Sequence, residues 1–580
     1  MGRNFGHIVF ESLAGLLVVG TGVLEDWYGR FDYAGDAISY LEMARLIRSG
    51  DWHAALNPYW SPGYPFILAG AESFFPSTPV GEWTAVHVVD LLLFVVTYLS
   101  FLFMLQTALD YAAAIQQQKE KREPAPNRTA IFVIGTSIFL LFQMLVGDVS
   151  RVSPDLLVGG MFYFITALTL RFFLNPCGKA AILLGLVMGL SYLLKAIFLP
   201  NLIIFFGVAV VLAWHRPRAE HRAVFSRLAL ALPVVALVTL PYIIALSSSV
   251  GHFTLGETGR LNYAWNVNHL PHWFNWVGSP DLNALPNGQP LHPALVMEKP
   301  PVFAFPEPYH VTYPPWFNPY YEYEGYHSYF SLTNQLHALV DNLGIFFRLL
   351  LHWPTLHFAI LLAIIVLFFV REKMTWLLRL RALWPIYIPS LAAIGIYLLV
   401  FIEGRYVAGF LCVLVTLLFV PLFAPTQLLS RPVARGLMLI VALGSLVLIV
   451  QGVRPTEHKI LHHESLVDND QWRIGLYLPQ AGIEPGDKIA AVRNGNYIRN
   501  TWAYVGRVQI VAEMGNNAYD PENQEADLQL FASDAATQQA VLDSFRKAGA
   551  VAVIAMDLKN QPIGANWISI PGTSAWMERL

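Results

Sequence analysis

The sequence predicts an α-helical membrane protein that crosses the bilayer about eleven times and ends in a small α/β domain. Two observations predict this class. Of the 580 residues, 55% are hydrophobic and 13% are charged, which is far more apolar than an average water-soluble domain. Long apolar segments recur up to Val453, whereas strand-like and helix-like patterns follow it. We therefore expect a transmembrane domain over residues 1–453 and a soluble extracytoplasmic α/β domain over 454–580.

Eleven apolar segments have about the length, roughly 20 residues, that a helix needs to cross the hydrocarbon core. They are Ile8 to Leu24, Thr84 to Leu109, Thr129 to Val146, Leu156 to Leu174, Ala180 to Leu194, Phe198 to Trp214, Leu228 to Leu246, Leu343 to Val370, Leu383 to Phe401, Tyr406 to Phe423, and Gly436 to Val453. No small-residue cleavage site follows the first segment, so we interpret it as a retained span.

Basic residues fall in every second connecting loop, as the positive-inside rule expects of cytoplasmic loops. They are Lys119, Lys121, Arg122 and Arg128; Arg171 and Lys179; Arg216, Arg218, Arg222 and Arg227; Arg371, Lys373, Arg379 and Arg381; and Arg431 and Arg435. With a cytoplasmic N-terminus, the loops 25–83 and 247–342 and the C-terminal domain are then extracytoplasmic. We expect a multi-pass protein of the inner, cytoplasmic membrane, with its active site on the periplasmic side.

The C-terminal segment has the pattern of an α/β domain. We expect strands at Lys488 to Val492, Val508 to Ala512 and Ala550 to Ala555, and a helix from about Ala536 to Ala548. It contains no phosphate-binding glycine loop, so we expect it to shape access to the site.

Composition also excludes some function classes. The net charge of −3 provides no basic surface for nucleic acid, so we expect none as a partner. The two cysteines, Cys177 and Cys412, form no disulfide framework or cysteine-based metal cluster.

Ionisable residues beside apolar spans are costly to place and are therefore candidates for function. Outside the basic loops they are Asp36, Asp148, Arg151, Asp155, Lys195, Glu403 and Arg405. All lie at predicted external span ends, which favours a reaction at the outer surface over a conduit through the bilayer.

Each candidate also has an ordinary structural interpretation. Asp36 begins a pattern typical of an interfacial helix, where a carboxylate serves as a cap. Asp155 follows Ser153 and Pro154 in a helix-start pattern. Lys195 could extend to the interface, Arg405 could pair only with Glu403, and the loop aromatics could form an interfacial belt.

Together the motifs resemble the glycosyltransferase C (GT-C) superfamily, in its bacterial branch related to protein O-mannosyltransferases and to enzymes that add aminoarabinose or galacturonic acid to lipopolysaccharide. The matching residues are Gly35-Asp36 with Tyr40, Ala44 and Gly50-Asp51-Trp52; Ser153-Pro154-Asp155; Gly185 to Lys195; and Glu403-Gly404-Arg405-Tyr406. The first loop departs from the acidic pair of many relatives, having Asp36-Ala37.

The resemblance implies a membrane glycosyltransferase that uses a polyprenyl-phosphate-linked sugar, with inversion, and a glycolipid, glycan or protein as acceptor. It implies catalytic roles for Asp36, as base, and Asp155. Arg405 and Lys195 would bind the donor phosphate. The substrate-binding residues it implies are Tyr40, Tyr59, Trp60, Tyr64, Glu403 and Tyr406.

No cofactor is required by this mechanism. A divalent cation, Mg²⁺ or Mn²⁺, held by Asp36 and Asp155 is the second version, ranked lower because no third ligand stands out; His87 is a weak candidate. The aromatic-rich long loop could stack on sugars, form a lid, or simply pack on itself. The main rival function is a transporter or flippase of a lipid-linked saccharide, which predicts internal repeats that we do not find.

Overall fold

The protein is described here from a computed structural model. The structure describes residues 5–29, 35–117, 128–147, 149–270, 294–305, 311–320, 328–423, 428–461, 469–492, 500–514, 530–556 and 566–580. The candidate residue Asp148 and the basic residues Lys119, Lys121 and Arg122 lie outside these ranges. The chain forms two compact units, one of Met1–Gly29, His87–Ser248 and Leu332–Leu461, the other of Arg30–Val86, Ser249–Ser331 and His462–Leu580.

The first unit is helical. Its helices are α1 (Phe5–Gly29), the main part of α4 (Pro79–Gln117), α5 (Arg128–Phe142), α6 (Asp155–Leu174), α7 (Gly178–Leu194), α8 (Phe198–Trp214), α9 (His221–Ala229), α10 (Ala231–Val250), α13 (Leu332–His352), α14 (Pro354–Phe369), α15 (Lys373–Ala382), α16 (Trp384–Val400), α17 (Gly404–Leu417), α18 (Val420–Phe423) and α19 (Arg431–Leu461). Each of the eleven predicted apolar segments falls on one or two of these helices.

Within the described ranges, six helical segments are long and apolar enough to cross a membrane. Two further segments are helix pairs bent by 79° and 72°, which raise the number to eight if each pair is one span. The apolar helices α7 and α8 are shorter. The protein is thus a multi-pass membrane protein, and the number of eleven crossings stays a prediction.

Helices α6 and α17 lie near the centre of this unit, while α10 lies at its edge. The most apolar part of Gly404–Phe423, which contains α17, is 78% buried, against 17% for that of Arg218–Val250, which contains α10. The outward side chains of α10 include Leu237 and Ile244, which suit contact with lipid chains. Helices α6 and α17 approach closely because Gly159 faces Gly409 without side chains between them.

The second unit contains the predicted α/β fold. Its strands are β1 (Ala294–Met297), β2 (Val302–Ala304), β3 (Lys488–Val492), β4 (Gln509–Met514), β5 (Ala552–Ala555), β6 (Ile568–Ser569) and β7 (Trp576–Arg579). Its helices are α2 (Gly35–Ser49), α3 (Gly63–Glu72), the first turns of α4, α11 (Thr258–Asn266), α12 (Pro314–Phe317), α20 (Asp470–Tyr477), α21 (Thr501–Gly506) and α22 (Ala535–Lys547).

The described strands form one sheet of seven in the order β1-β2-β4-β3-β5-β7-β6. β3 pairs in parallel with both β4 and β5, as expected when a helix connects buried strands. The three predicted strands and the predicted helix are present within two residues of their expected ends. Strands β1 and β2 come from the long loop 247–342 and extend the sheet beyond β4 through antiparallel pairing.

The predicted first-loop helix is α2, with Asp36 in its first turn as expected. Most of its residues, including Tyr40, Glu42 and Met43, are buried within the second unit. The domain boundary at residue 453 stays a prediction, because the compact second unit also includes both predicted external loops.

Candidate active site

Three helix ends meet in the first unit, and each carries one of the predicted charged residues. Asp155 begins α6, where the Ser153 hydroxyl accepts a hydrogen bond from the Asp155 backbone N–H at 3.4 Å. Lys195 follows α7 in an extended conformation (φ −160°, ψ 136°), which turns its side chain away from the helix path. Arg405 lies in the first turn of α17. The local sequence therefore ends or starts a helix at each of these residues.

Asp155 is the common partner of the two cations. One of its carboxylate oxygens accepts a hydrogen bond from the Lys195 ammonium, and the other lies 3.5 Å from the Arg405 guanidinium. Arg405 also binds Glu403, with Nε 2.6 Å from the carboxylate. The Asp155 and Arg405 side chains are 6% and 10% exposed, against 36% for Glu403, so Glu403 is the open side of the cluster.

Aromatic rings line the same cluster. The Lys195 ammonium lies 4.3 Å from the centre of the Tyr406 ring, and the Arg405 guanidinium carbon lies 4.8 Å from it. Arg405 also donates to the Tyr406 hydroxyl at 3.1 Å. Tyr397 stacks on Tyr406 at 5.1 Å. Cation–π contacts of this kind fix the direction of both cations.

The electrostatics of the cluster favour an anion. Lys195 and Arg405 balance Asp155 and Glu403 in formal charge, and the N-termini of α6 and α17 add partial positive charge. An anion that displaced Glu403 would find two cations and two helix N-termini already assembled. A small cavity beside the cluster is lined by Asp155, Arg405 and Tyr406 together with Gln143 and Gly409.

These contacts decide between the interpretations left open by the sequence. The interpretation that Arg405 pairs only with Glu403 is wrong, because it also binds Asp155. Lys195 binds the same carboxylate and not only the membrane interface. Asp155 is both a first-turn residue of α6 and the ion partner of two cations.

The remaining predicted site residues lie in the second unit. Asp36 is half-buried in the first turn of α2. Tyr40 packs edge-on against Trp60 at 5.2 Å and Tyr64 at 5.3 Å between ring centres. Because Tyr40 is 5% exposed and Tyr64 is 0% exposed, their burial favours the packing role over contact with substrate.

The long loop contributes to the same aromatic layer. Tyr59 lies 5.9 Å from Trp265 and accepts a hydrogen bond from Asn262 at 3.2 Å. The Trp60 indole donates to the carbonyl of Trp316 at 3.2 Å. The contacts of these aromatic side chains are therefore those expected if the loop packs on itself. Within this aromatic layer, Tyr59 is half-buried and keeps an accessible surface.

Sequence reasoning missed a buried ionic network in the second unit. Glu82 pairs with Arg507 at 2.9 Å and Arg45 at 3.6 Å, and it accepts a hydrogen bond from Tyr504. Glu72 pairs with Arg48 at 2.9 Å. The sequence feature that could have indicated this network is the pair Arg45 and Arg48, which lie three residues apart and therefore on one face of α2.

Burial raises the pKa of two carboxyl groups of this unit, Glu72 and Glu42. It raises the pKa of the Glu72 carboxyl to about 7, although Arg48 acts in the opposite direction. Burial also raises the pKa of Glu42, whose carboxylate accepts from the backbone N–H of Thr312. In both residues burial favours the protonated carboxyl.

A second missed cluster lies in the first unit, where Asp26, His87 and Asp90 approach one another. The sequence analysis considered His87 alone. The signal that could have found the group is the spacing of three between His87 and Asp90, together with an acidic residue at the end of the preceding apolar segment.

In sequence, no protein-family model and no curated protein matches the chain. In structure, it is similar to ArnT from Cupriavidus metallidurans in the apo state, with 13% identity, a TM-score of 0.51, and coverage of 99% of this chain and 97% of that chain. It is also similar to the oligosaccharyltransferase of Archaeoglobus fulgidus in the apo form, with 13% identity, a TM-score of 0.51, and coverage of 95% and 70%. AglB from the same organism, in complex with an inhibitory peptide and a dolichol-phosphate, matches with 13% identity, a TM-score of 0.51, and coverage of 95% and 69%. ArnT and AglB have the GT-C fold, and so does this chain.

Proposed function

We propose that this chain, with its GT-C fold, is an integral-membrane glycosyltransferase that moves a sugar from a polyprenyl-phosphate donor to a hydroxyl of an envelope acceptor. The observation that carries the proposal is the pair of cations, Lys195 and Arg405, held by the buried carboxylate of Asp155. Asp155 and Arg405 each lie in the first turn of a helix, and Lys195 follows the end of another. Such a site suits a phosphate at the end of a lipid chain. The AglB structure contains a lipid phosphate, dolichol-phosphate, which agrees in chemical class.

The cations act on the leaving group. When the bond between the anomeric carbon and the phosphate oxygen breaks, the electron pair goes to the phosphate, which leaves as an anion. Fixed cations stabilise the charge that develops there. Arg405 offers a planar fork to two phosphate oxygens and exchanges its contact with the half-exposed Glu403 for the donor.

Asp155 positions the two cations in this mechanism. Its two oxygens bind Lys195 and Arg405 separately, so it sets the distance between them before donor binds. This positioning role differs from the catalytic role of Asp155 that the family resemblance implied. The contacts with both cations support the change.

Asp36 is the base in the proposed reaction. It takes the proton of the acceptor hydroxyl, whose oxygen attacks the anomeric carbon on the face opposite the phosphate and inverts that centre. Asp36 is half-buried in the first turn of α2. The acceptor is a glycolipid, glycan or protein on the outer face of the cytoplasmic membrane.

The purified full-length protein tests the proposal directly. It is incubated with a panel of polyprenyl-phosphate sugars and envelope lipids, and the release of free polyprenyl phosphate is measured together with the glycosylated product. A transferase releases one polyprenyl phosphate for each sugar transferred. Movement of intact donor across vesicle membranes without release would contradict the proposal and favour a flippase.

A further inference from the structure

Helices α1 and α4 bring three potential metal ligands together in the first unit. The His87 Nδ1 lies 2.7 Å from an Asp26 carboxylate oxygen. One ligand atom from each of Asp26, His87 and Asp90 lies within 4.8 Å of the others. This cluster is separate from the Asp155 cations and has no role in the proposed reaction.

The helical backbone explains the convergence. His87 and Asp90 are three residues apart on α4, which puts both side chains on one helix face. Asp26 reaches the same point from the last turn of α1. Metal sites in helical bundles are built in this way, from a two-residue motif on one helix and a further ligand from a neighbouring helix.

Spacing and burial both suit an ion. Ligands bound to one cation at about 2.0–2.2 Å lie roughly 3 Å apart, so the contact between Asp26 and His87 needs only a shift of a few tenths of an ångström. Asp26 and Asp90 are 7% and 3% exposed. Burial of two carboxylates is costly unless positive charge accompanies them.

Charge counting favours a divalent ion over a proton. The three groups carry a charge of −1 when the imidazole is protonated and −2 when it is neutral. One divalent cation with a neutral imidazole brings the cluster to zero. An imidazole nitrogen with two carboxylate oxygens is a ligand set that suits Zn²⁺ and Mn²⁺.

We propose that Asp26, His87 and Asp90 bind one divalent transition-metal ion, of the Zn²⁺ or Mn²⁺ class, which links the end of α1 to α4. The ion is structural: three protein ligands on two helices hold both helices in one arrangement. The inference does not rest on the proposed glycosyl transfer.

The test uses full-length protein in detergent, stripped of metal with EDTA and passed through a desalting column. Mn²⁺ is added, and its binding is followed by electron paramagnetic resonance; Zn²⁺ is then used as a competitor. We expect one tightly bound Mn²⁺ per chain, displaced by Zn²⁺, with spin-echo modulation from one coordinated imidazole nitrogen. This readout uses unaltered protein and so does not depend on the folding of a variant.

Conservative variants then assign the ligands. His87→Gln and Asp90→Asn should each weaken binding at least about tenfold, since even outer partners of metal ligands contribute that much. Both should also lose the rise in Tm that Mn²⁺ gives the unaltered protein. The matched control is His252→Gln, which removes the imidazole of another histidine–carboxylate pair, 3.1 Å from Glu257.

Three outcomes would overturn the inference. The unaltered protein could bind no stoichiometric Mn²⁺ or Zn²⁺. The bound Mn²⁺ could show no directly coordinated nitrogen. Alternatively, Asp155→Asn or Asp36→Asn could abolish binding while His87→Gln leaves it intact, which would assign the ion to the other acidic residues. Since none of these readouts measures sugar transfer, a failed transferase assay leaves the metal result interpretable.

Discussion

Arg405 divides its guanidinium between a buried and a half-exposed carboxylate, and this asymmetry gives it its proposed role. The contact with Asp155 fixes the side chain, whereas the contact with Glu403 is the one that a phosphate can replace. Lysine carries the same charge but lacks the planar fork and cannot keep both contacts. The geometry of the guanidinium, beyond its charge, is what the site uses.

Arg405→Lys should therefore reduce kcat/KM for the polyprenyl-phosphate donor by about 10- to 100-fold, which corresponds to the loss of one charge-assisted hydrogen bond. Steady-state transfer assays at varied donor concentration measure this. Arg546→Lys is the matched control, because Arg546 pairs with Asp543 at 2.6 Å on the solvent-exposed face of α22. Unchanged donor kinetics in Arg405→Lys would remove Arg405 from the phosphate site.

The role of Asp36 as the base can be tested by a substitution that keeps the shape of the side chain. Asp36→Asn retains a helix-capping side chain but cannot accept the acceptor proton, so transfer should fall at least about 100-fold. The thermal unfolding midpoint should stay the same. Asp543→Asn, at an exposed carboxylate, is the control. Full turnover by Asp36→Asn would show that Asp36 is only a cap.

Among the helices, the cluster of Asp155, Lys195 and Arg405 is positioned by the close approach of α6 to α4 and α17. A Cβ atom at Gly160 of α6 would lie 2.7 Å from the Thr97 hydroxyl and 3.1 Å from its Cα atom on α4. Tyr163 of α6 donates to the carbonyl of Gly409 on α17 at 3.1 Å and accepts from Gln143. The start of α6, where Asp155 lies, is thus fixed by contacts with two neighbours.

Gly160→Ala should destabilise the protein by about 1–3 kcal/mol, the usual effect of overpacking. Gly207→Ala is the matched control: it is also a helical glycine, and a Cβ atom there meets nothing within 4 Å. That substitution should be neutral or slightly stabilising, because alanine favours helix. Thermal unfolding in detergent compares the two, and equal midpoints would contradict the packing argument.

At the scale of the whole molecule, the second unit joins segments that are far apart in sequence through buried charges. Glu82 precedes the apolar part of α4, while its partners Tyr504 and Arg507 lie more than 400 residues later. Breaking one member of such a network leaves another buried charge without compensation. The network therefore couples the first loop to the C-terminal segment within this unit.

Glu72 makes this unit sensitive to pH. Its pKa is about 7 in the folded protein, against an ordinary value of 4.5, so the folded state binds the proton more tightly than the unfolded state. The stabilisation is fully present below about pH 4.5 and is lost as the pH rises to about 7. Its total is on the order of 3 kcal/mol.

Glu72→Gln should remove that part of the pH dependence. Denaturant unfolding between pH 4.5 and 7.5 should show a smaller loss of stability in the variant than in the unaltered protein. Glu484→Gln, at an exposed carboxyl of the same unit, is the control. Parallel pH profiles for Glu72→Gln and the unaltered protein would show that Glu72 does not titrate in this range.

Local patterns in the sequence were sufficient to predict most of the long helices and two of the central strands. Apolar runs predicted the helices of the first unit, and the strands Lys488 to Val492 and Ala550 to Ala555 were predicted near their observed limits. Strands β1 and β2 were missed because they have four and three residues and because β2, on which β1 pairs, itself pairs with β4, some 200 residues later. Short strands carry little periodic signal of their own.

The membrane class, the helical segments, the GT-C resemblance and the positions of Asp155, Lys195 and Arg405 at helix ends could all be predicted from the sequence, because apolar length and helix-end residues are local properties. Three findings required the folded structure: one carboxylate holds both cations, Tyr40 and Tyr64 are buried, and Asp26 lies beside His87 and Asp90. These findings depend on how helices that are distant in sequence pack together, and the spacing of neighbouring residues does not predict that packing.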